Sequence, residues 1–578
     1  MAVRGRIALL TGILVFTGAS SMASTNPASG RFDQPYTGFA PETTVLAEVT
    51  PEEAGLDPAP LRAAGDQLRA WTGSEAVEGH PLFAGAVGTL VHNGMVVDTV
   101  TAGSAVRYAD GSGTELPANE QVPMRADTIF DMASVTKLFT SIAVLQLVED
   151  GKVDLDAPVA EYLPEFAAQG KGSITVTQLL THTSGLEPEL PLWRDWPDKA
   201  ARIKAVMDVR PQNRPGTTYT YSDLNLITLG VLVERVSGTG LDEAVSRRIT
   251  GPLGMTDTGF NPPEAKLDRI AATEYQADPP RGMVRGQVHD ENAWSLGGVS
   301  GHAGIFSTSG DMAVLGQSLL NGGAYAGKRI LREDTVRTML TNYNTRFPGD
   351  DHGLGFELNQ LWYMGGLSSP TTAGHTGYTG TSIVLDPQSR SVVVLLTNRV
   401  HPSRSWGSIN PARQAYATGL ARAMAVRPAK GPRAWFSGIG DSRTATLTTP
   451  PLAHTGGDLS VDFATFVNSE PTDPLVLEAS SDGHRWQPVE LRVRGEGAPE
   501  GPVTALAGTG HRSWWNVHAS VPATGNVTLR WRFTTDGSNT ARGNYVDAVR
   551  VTADKRVLLD GERQPYAFAG DGFRLLGR

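Results

Sequence analysis

Cysteine is absent from the sequence. Its absence excludes a disulfide framework, thiol chemistry, cysteine-based zinc sites and a lipid anchor on cysteine, so stability must come from the apolar core. The sequence also has no excess of basic residues. It contains 50 Lys and Arg and 60 Asp and Glu, which gives a formal net charge of -10. This acidic balance, without a concentrated basic patch, argues against a nucleic-acid partner or an anionic membrane surface.

No membrane-spanning run follows the N-terminal segment. Arg4 and Arg6 precede an apolar run over residues 7–16, and the small residues 19–23 come next. This order is typical of a secretory signal peptide with cleavage after Ala23, because the run is too short to span a bilayer comfortably. We therefore expect a secreted, extracytoplasmic protein without a membrane span in the mature chain.

Length and composition indicate a globular protein of more than one domain. The 578 residues exceed what one hydrophobic core normally organises, and 40% of them are hydrophobic. Residues 24–49, rich in Ser, Thr, Pro and Ala, predict an extended leader. At residues 427–432 helical patterns give way to short β-rich runs, which predicts a domain boundary. We expect one domain over residues 50–427 and a second over residues 428–578.

The two domains differ in their element patterns. In the first, a helix capped by Asp57 and a hairpin turning at Asn93-Gly94 precede several helical segments, and a second hairpin turns at residues 386–388. Strands at both ends with helices between them predict an α+β fold. The second domain has short apolar runs between turn signals, which predict an all-β sandwich. These runs cover residues 459–467, 475–479, 527–533 and 545–551.

Ser134 lies just before a helix predicted over residues 137–149, and Lys137 is its first residue. Their spacing places the two side chains about one turn apart on the same face. A serine hydroxyl is a weak nucleophile until a neighbouring group takes its proton, and a desolvated lysine can do so. The alternative is an ordinary helix start, with Ser134 as a cap and Lys137 in solvent.

Two later stretches could complete a site with Ser134 and Lys137. The three motifs together resemble those of a known family. Tyr221-Ser222-Asp223 enters a helix, and His375-Thr376-Gly377 lies in a Gly-rich approach to a strand, where backbone or ligand can come close. With Ser134-Val135-Thr136-Lys137 before them, the chain from about residue 50 to residue 425 resembles the serine β-lactamase and penicillin-binding protein family. It is most similar to the class C and D-alanyl-D-alanine carboxypeptidase-like branch.

The resemblance implies an antiparallel sheet flanked by helices plus a helical subdomain, and a reaction without metal or other cofactor. Ser134 would attack a carbonyl and form an acyl-enzyme, while Lys137 and Tyr221 would share the proton transfers. The backbone N–H groups of Ser134 and Tyr378 would form an oxyanion hole. The implied substrate-binding residues are Asp223, His289, His375, Thr376 and Gly377.

Two positions depart from the family pattern. Asp223 replaces the usual Asn, so an acceptor-only carboxylate stands where an amide would donate to a β-lactam side chain. This carboxylate could pair with Lys137 or bind a substrate ammonium, and it argues against β-lactam hydrolysis. His375 replaces Lys, as in some carboxypeptidases and D-aminopeptidases of the family.

A further stretch, residues 288–307, resembles a subgroup that includes exo-acting N-acetylmuramyl-L-alanine amidases. Its His289, Asp290 and Glu291 could suggest a metal, but adjacent residues point in different directions and a second spaced histidine is missing. We therefore expect a hydrogen-bonded pocket wall.

The second domain resembles, more loosely, jelly-roll modules appended to secreted bacterial peptidases. Trp514, Trp515 and Trp531 could stack on sugar rings, although a place in the sandwich core is favoured. Asp441 and Asp547 could help to hold calcium.

The sequence as a whole predicts a secreted serine hydrolase that cleaves an amide bond in cell-wall-derived peptides, as a carboxypeptidase or an amidase does. The alternatives are a β-lactamase or small-ester hydrolase of the same family and, from another class, a non-catalytic penicillin-binding or cell-wall-binding protein. The expected partner is a small peptide or muropeptide, and the second domain could contact cell-wall polymer.

Overall fold

The computed structural model describes residues 30–577, except residues 78, 523 and 524. The predicted signal peptide, with its cleavage site after Ala23, lies outside the described residues. No helix within the described part of the chain is long and apolar enough to cross a membrane.

The α-helices of the described residues all lie before residue 424. In chain order, α1 to α13 cover Pro58–Ala70, Thr136–Glu149, Val176–Leu180, Leu192–Asp195, Lys199–Asp208, Asp223–Ser237, Leu241–Val245, Gly251–Leu253, Glu291–Ser295, Ser309–Leu320, Glu333–Met339, Leu361–Met364 and Asn410–Ala423.

The strands fall into two groups. Before the predicted boundary, β1 to β15 cover Ala47–Glu48, Gly85–His92, Met95–Val106, Val122–Pro123, Phe130–Asp131, Gly259–Phe260, Tyr275–Gln276, Gly282–Met283, Ile305–Ser307, Ala324–Tyr325, Lys328–Arg329, Glu357–Leu358, Ala373–Thr376, Thr381–Asp386 and Ser391–Thr397. After it, β16 to β28 cover Ala434–Ser437, Thr444–Thr448, Leu452–His454, Asp458–Phe466, Leu475–Ser480, Gln487–Pro488, Arg492–Arg494, Trp514–Pro522, Gly525–Thr534, Asn544–Ala553, Arg556–Asp560, Ala569–Asp571 and Arg574–Leu576.

The main sheet of the first region has the order β1-β3-β2-β15-β14-β13-β12, with β4 beside β3. Both predicted hairpins are present, and the first turns at Asn93 and Gly94, whose positive φ values of 51° and 79° suit this tight connection. Helices α1 and α13 cover one face of the sheet, while α10 packs on the other with the helical cluster around α2 and α6. The predicted α+β fold is therefore confirmed.

Helix α1 shows how local sequence sets these elements. Asp57 accepts the N–H of Ala59 at 2.9 Å, and proline occupies the first helical position. The predicted apolar face is the buried one, since Leu61, Ala64 and Leu68 are all in the core. Helix α6 begins at Asp223, directly after the extended residue Ser222, and this brings Tyr221 to a helix entry.

The second region forms two facing sheets. One has the order β22-β23-β19-β25-β16-β28 and the other β21-β20-β24-β17-β27. Trp515 and Trp531, 2% and 0% exposed, lie in the core between them, as the favoured interpretation predicted. Trp514 is half-buried and donates its indole N–H to the carbonyl of Arg427 at 3.0 Å. The predicted cell-wall contact of this region stays a prediction.

The two regions share an apolar cluster. Phe32 of the leader, 1% exposed, packs with Phe466 and Tyr545 of the sandwich and with Leu420 of α13. The domain boundary at residue 427 stays a prediction, but Ser134, Lys137, Tyr221 and His375 all lie before it.

Candidate active site

Ser134 sits on a constrained turn between β5 and α2. The turn covers Ala133–Val135, and Ala133 has a φ of 45°, a value that costs energy for a residue with a side chain. The Asp131 carboxylate accepts the Ala133 N–H at 2.8 Å, while Thr379 and Thr381 donate their hydroxyls to the carbonyls of Asp131 and Met132. These bonds fix the turn and present the half-buried serine at its apex.

Lys137 lies beside the serine rather than in solvent. Its Nζ donates to Ser134 Oγ at 2.9 Å and to the carbonyl of His302 at 3.3 Å, and the side chain is 1% exposed. Asp223 Oδ1 forms an ion pair with the same Nζ at 2.8 Å. The predicted pairing of Asp223 with Lys137 is therefore present, and the interpretation of Lys137 as a solvated helix residue is wrong.

The charges around Lys137 decide its protonation. Burial lowers the pKa of Lys137, but the Asp223 carboxylate and Tyr221 outweigh burial, so the net direction is upward. Burial raises the pKa of Tyr221, and the ammonium 4.8 Å from its ring centre offsets this only in part. In the resting site Lys137 is therefore an ammonium and Tyr221 a phenol.

His182 positions Tyr221. Its Nδ1 accepts the N–H of Ser222 at 3.1 Å and the Asn225 side-chain amide at 3.1 Å, so the ring proton is on Nε2. The ring lies 4.6 Å from that of Tyr221, and burial holds the pKa of His182 well below its usual range. A neutral histidine thus fixes the helix entry that carries the tyrosine.

Gly377 lets the end of β13 approach the serine turn. A Cβ at this position would collide with the carbonyl of Met132 and the hydroxyl of Thr381. The next residue, Tyr378, donates its N–H to no backbone acceptor within the described residues, and this leaves the group available to a substrate oxygen. Its role in an oxyanion hole, together with the Ser134 N–H, stays a prediction.

His375 is present at the site but is uncharged. Its Nδ1 lies 2.8 Å from the carbonyl of Thr376 and therefore carries the proton, while Nε2 is a buried acceptor with no partner in the described chain. Burial, followed by the Lys137 ammonium, lowers the pKa of His375 to about 3. An ionic contact between His375 and a substrate carboxylate does not fit this state, whereas the neighbouring Thr376 hydroxyl is half-buried and can donate.

His289 lies behind the site rather than at its surface. Its Nε2 is 2.9 Å from Glu274 Oε2, its N–H donates to Asp131 Oδ2 at 2.6 Å, and its ring stacks on Tyr378. The side chain is 4% exposed. The predicted substrate contact of His289 is therefore corrected to a bracing position, because Tyr378 stands between it and the cavity.

The cavity in front of Ser134 measures about 530 Å³ and has arginines on its wall. Arg413 donates to the carbonyls of Gly377 and Thr381 at 2.8 and 3.0 Å, and burial lowers its pKa to about 10. Arg399 donates to the Tyr378 carbonyl at 3.2 Å, and Arg404 pairs with Glu274 at 2.6 Å. Arg399, Arg404 and Arg413 therefore line the cavity together with Glu357.

Comparison with known proteins decides the family. A sequence profile described as Beta-lactamase matches residues 82–418. This chain belongs to the β-lactamase family. It is a serine hydrolase, as the sequence predicted.

Relatives of this β-lactamase-family chain carry a common name. The protein named "Putative D-alanyl-D-alanine carboxypeptidase" from Escherichia coli (strain K12) is 35% identical over 391 residues, which cover 62% of this chain and 86% of that protein. A protein of the same name from Salmonella typhimurium is 33% identical and covers 64% and 90%. A solved structure titled "A class C beta-lactamase" has a TM-score of 0.51 at 19% identity, covers 65% of this chain and 99% of its own, and shows similarity of fold.

The stretch 288–307 contributes hydrogen-bonded side chains beside Lys137, as expected of a pocket wall. Asp290 and His302 form an ion pair at 2.9 Å, and with Asp223 they bring potential ligand atoms within 4.8 Å of one another. The Lys137 ammonium pairs with Asp223 and donates to the His302 carbonyl. Two residues of this β-lactamase-family site, Arg413 and His182, were missed by the sequence motifs.

Proposed function

We propose that this protein is a secreted hydrolase that cleaves an amide bond in cell-wall-derived peptides through an acyl-enzyme on Ser134. The observation that carries the proposal is the contact of 2.9 Å between Ser134 Oγ and the buried Lys137 Nζ at the edge of a cavity with arginines on its wall. Cleavage by a carboxypeptidase-like route is the favoured form, and an amidase-like route uses the same groups.

The geometry supports a two-step reaction. Ser134 Oγ attacks the scissile carbonyl, and the resulting oxyanion lies near the N–H groups of Ser134 and Tyr378, each worth about 100- to 1000-fold in rate. The serine proton passes to the Lys137 and Tyr221 pair, which then protonates the leaving amine. In the second step the pair takes a proton from a water molecule that attacks the acyl carbonyl, and it returns this proton to Ser134 Oγ as the ester bond breaks and the acid leaves. Because both groups are protonated at rest, the pair must first lose one proton, and we expect activity to rise with pH.

The cavity wall supports a substrate with a carboxylate on its leaving side. His375 is neutral, so the charge for carboxylate recognition comes from Arg399 and Arg413, which line the cavity. The relatives named as D-alanyl-D-alanine carboxypeptidases support the same substrate class.

The nucleophile is tested with an acylated Lys–D-Ala–D-Ala peptide. We expect release of D-alanine from the free acid, slower release of D-alaninamide from the C-terminal amide, and loss of at least about 1000-fold in kcat/KM for Ser134→Ala. Ser173→Ala changes an exposed serine without a described side-chain bond and is the matched control. Full turnover by Ser134→Ala would exclude Ser134 as the nucleophile.

Intact-mass measurement with benzylpenicillin and the peptide separates the alternatives. A transient peptide adduct with product release supports the hydrolase. A lasting penicillin adduct without any peptide turnover supports a non-catalytic binding protein instead.

Secretion rests on residues 1–23 alone. When the full chain is expressed in a bacterium with a general secretory pathway, we expect an exported protein whose intact mass is that of a chain beginning at Ser24. Retention of the uncleaved chain in the cytoplasm would contradict this part of the proposal.

A further inference from the structure

Three carboxylates meet at one end of the C-terminal sandwich. Glu470 follows β19, Asp473 precedes β20, and Asp536 follows β24, and their carboxylate oxygens lie within 4.8 Å of one another. Asp441, in the turn between β16 and β17, adds a fourth negative charge that acts on Asp473. Three separate loops thus bring acidic side chains to a single point.

Two of these carboxylates are buried, and each has one oxygen without a partner among the described residues. Asp473 is 0% exposed and Glu470 is 9% exposed. Asp473 Oδ1 accepts the N–H of Asp536 at 2.8 Å, but Asp473 Oδ2 and Glu470 Oε1 make no hydrogen bond within the described chain. Burial and then mutual repulsion raise the pKa of Glu470 to about 7 and that of Asp473 to about 6. Buried anions of this kind are costly unless a cation compensates them.

Other buried acids of the sandwich are compensated in the usual way. Glu478 forms ion pairs with Arg530 and Arg532 at 2.7 and 3.0 Å. Asp547 accepts backbone N–H groups from Lys430 and Ala548 at 2.9 and 2.8 Å. The cluster at Asp473 differs from Glu478 because no arginine pairs with it among the described residues, and from Asp547 because two of its buried oxygens accept no hydrogen bond there.

We propose that Glu470, Asp473 and Asp536 bind a calcium ion. All the converging donors are oxygens, and Ca²⁺ takes six to eight oxygen ligands from carboxylates, backbone carbonyls and water in a flexible arrangement. Histidine and cysteine donors, which zinc and copper prefer, do not contribute. Mg²⁺ needs a near-ideal octahedron and keeps most of its water, so a site made from carboxylates on two loops suits it less well.

The proposed calcium site is connected to the contact between the sandwich and the hydrolase region. The segment after Asp536 leads to Arg542, which is 2% exposed and donates to the carbonyls of Ala421 and Met424 at 3.0 and 2.9 Å. Ala421 lies on α13, the helix that also carries Arg413 of the cavity wall. Calcium would therefore stabilise the loop through which the sandwich contacts the helix behind the active site.

The test uses the full chain, stripped with a chelator and titrated with CaCl₂ or MgCl₂ in a calorimeter. We expect one Ca²⁺ per chain with a Kd no weaker than about 1 mM, together with a rise in Tm. Asp473→Asn and Glu470→Gln should each weaken Ca²⁺ binding by about tenfold or more, since each removes a charged ligand. Without calcium both variants should unfold at or above the wild-type Tm, because repulsion among the three carboxylates is relieved.

Glu562→Gln is the matched control, since Glu562 belongs to another acidic pair, with Asp547, whose carboxylate already accepts two N–H groups. It should bind Ca²⁺ as the wild type does. Absence of binding heat up to about 10 mM Ca²⁺, unchanged binding by both variants, or equal affinity for Mg²⁺ would overturn the proposal. Peptide hydrolysis by the stripped protein is measured separately, so this test can fail without affecting the proposed hydrolase.

Discussion

At the scale of single residues, Asp223 has the largest consequence for the chemistry. An amide at this position would hydrogen-bond to Lys137 without a charge, whereas the carboxylate holds the ammonium at 2.8 Å. Asp223 in place of the usual Asn therefore stabilises the protonated form of Lys137, which has to take part in proton transfer.

We predict that Asp223→Asn moves the acidic limb of the pH profile of kcat/KM downward by about 1–3 units. The Asp223 charge raises the pKa of both Lys137 and Tyr221, so its removal lowers both, and the base form of the pair appears at lower pH. The profile is measured with the acylated Lys–D-Ala–D-Ala peptide. An unmoved limb would show that another group controls the proton transfer.

The same variant tests how the site treats β-lactams. If the carboxylate excludes the drug by presenting an acceptor to its side-chain amide, Asp223→Asn should gain penicillin turnover. Asp127→Asn, an exposed change in the same region, is the control and should show no gain. If Asp223→Asn also fails to hydrolyse penicillin, exclusion by the carboxylate is ruled out.

At the scale of elements, the site depends on how closely the end of β13 approaches the turn before α2. Gly377 provides this approach, and the hydroxyls of Thr379 and Thr381 tie the two elements together. Ser134 and the predicted oxyanion donor Tyr378 belong to different elements, so their separation depends on this contact.

We predict that Gly377→Ala lowers kcat/KM by about 100-fold, because the added methyl group displaces the strand end and small misplacements of catalytic groups cost that much. The fold should persist, as judged by circular dichroism and by an intact cooperative unfolding transition. Gly259→Ala, in β6, meets no neighbouring atom and should keep full activity. Equal activity of the two variants would contradict the role of this contact.

Local patterns account for what could be predicted at this scale. The hairpin at Asn93-Gly94, the cap at Asp57 and the spacing of Ser134 and Lys137 are short-range signals, and each specified its element correctly. Arg413 could not be found in this way, because it reaches the cavity only when α13 packs on the sheet. Likewise, His289 lost its expected substrate contact because Tyr378, from a distant loop, covers it.

At the scale of the whole molecule, one buried ion pair joins the sandwich to the hydrolase region. Arg512 Nη1 contacts Asp386 Oδ2 at 2.8 Å with both side chains 0% exposed, and Nη2 donates to the carbonyl of Leu367 at 3.0 Å. Its guanidinium carbon lies 4.2 Å from the ring centre of Phe32 in the leader. The Arg512 side chain of the sandwich thus contacts both the leader and the hydrolase region.

We predict that Arg512→Ala lowers the free energy of unfolding by about 3–5 kcal/mol, because the Asp386 carboxylate is left buried without its partner. Denaturant unfolding followed by tryptophan fluorescence measures the loss. Arg512→Ala combined with Asp386→Asn should recover part of it, since the unpaired charge is then removed, whereas Arg563→Ala, whose side chain is 86% exposed, should cost little. A small loss for Arg512→Ala would mean that the sandwich is held to the hydrolase region by apolar contact around Phe32 rather than by this charge.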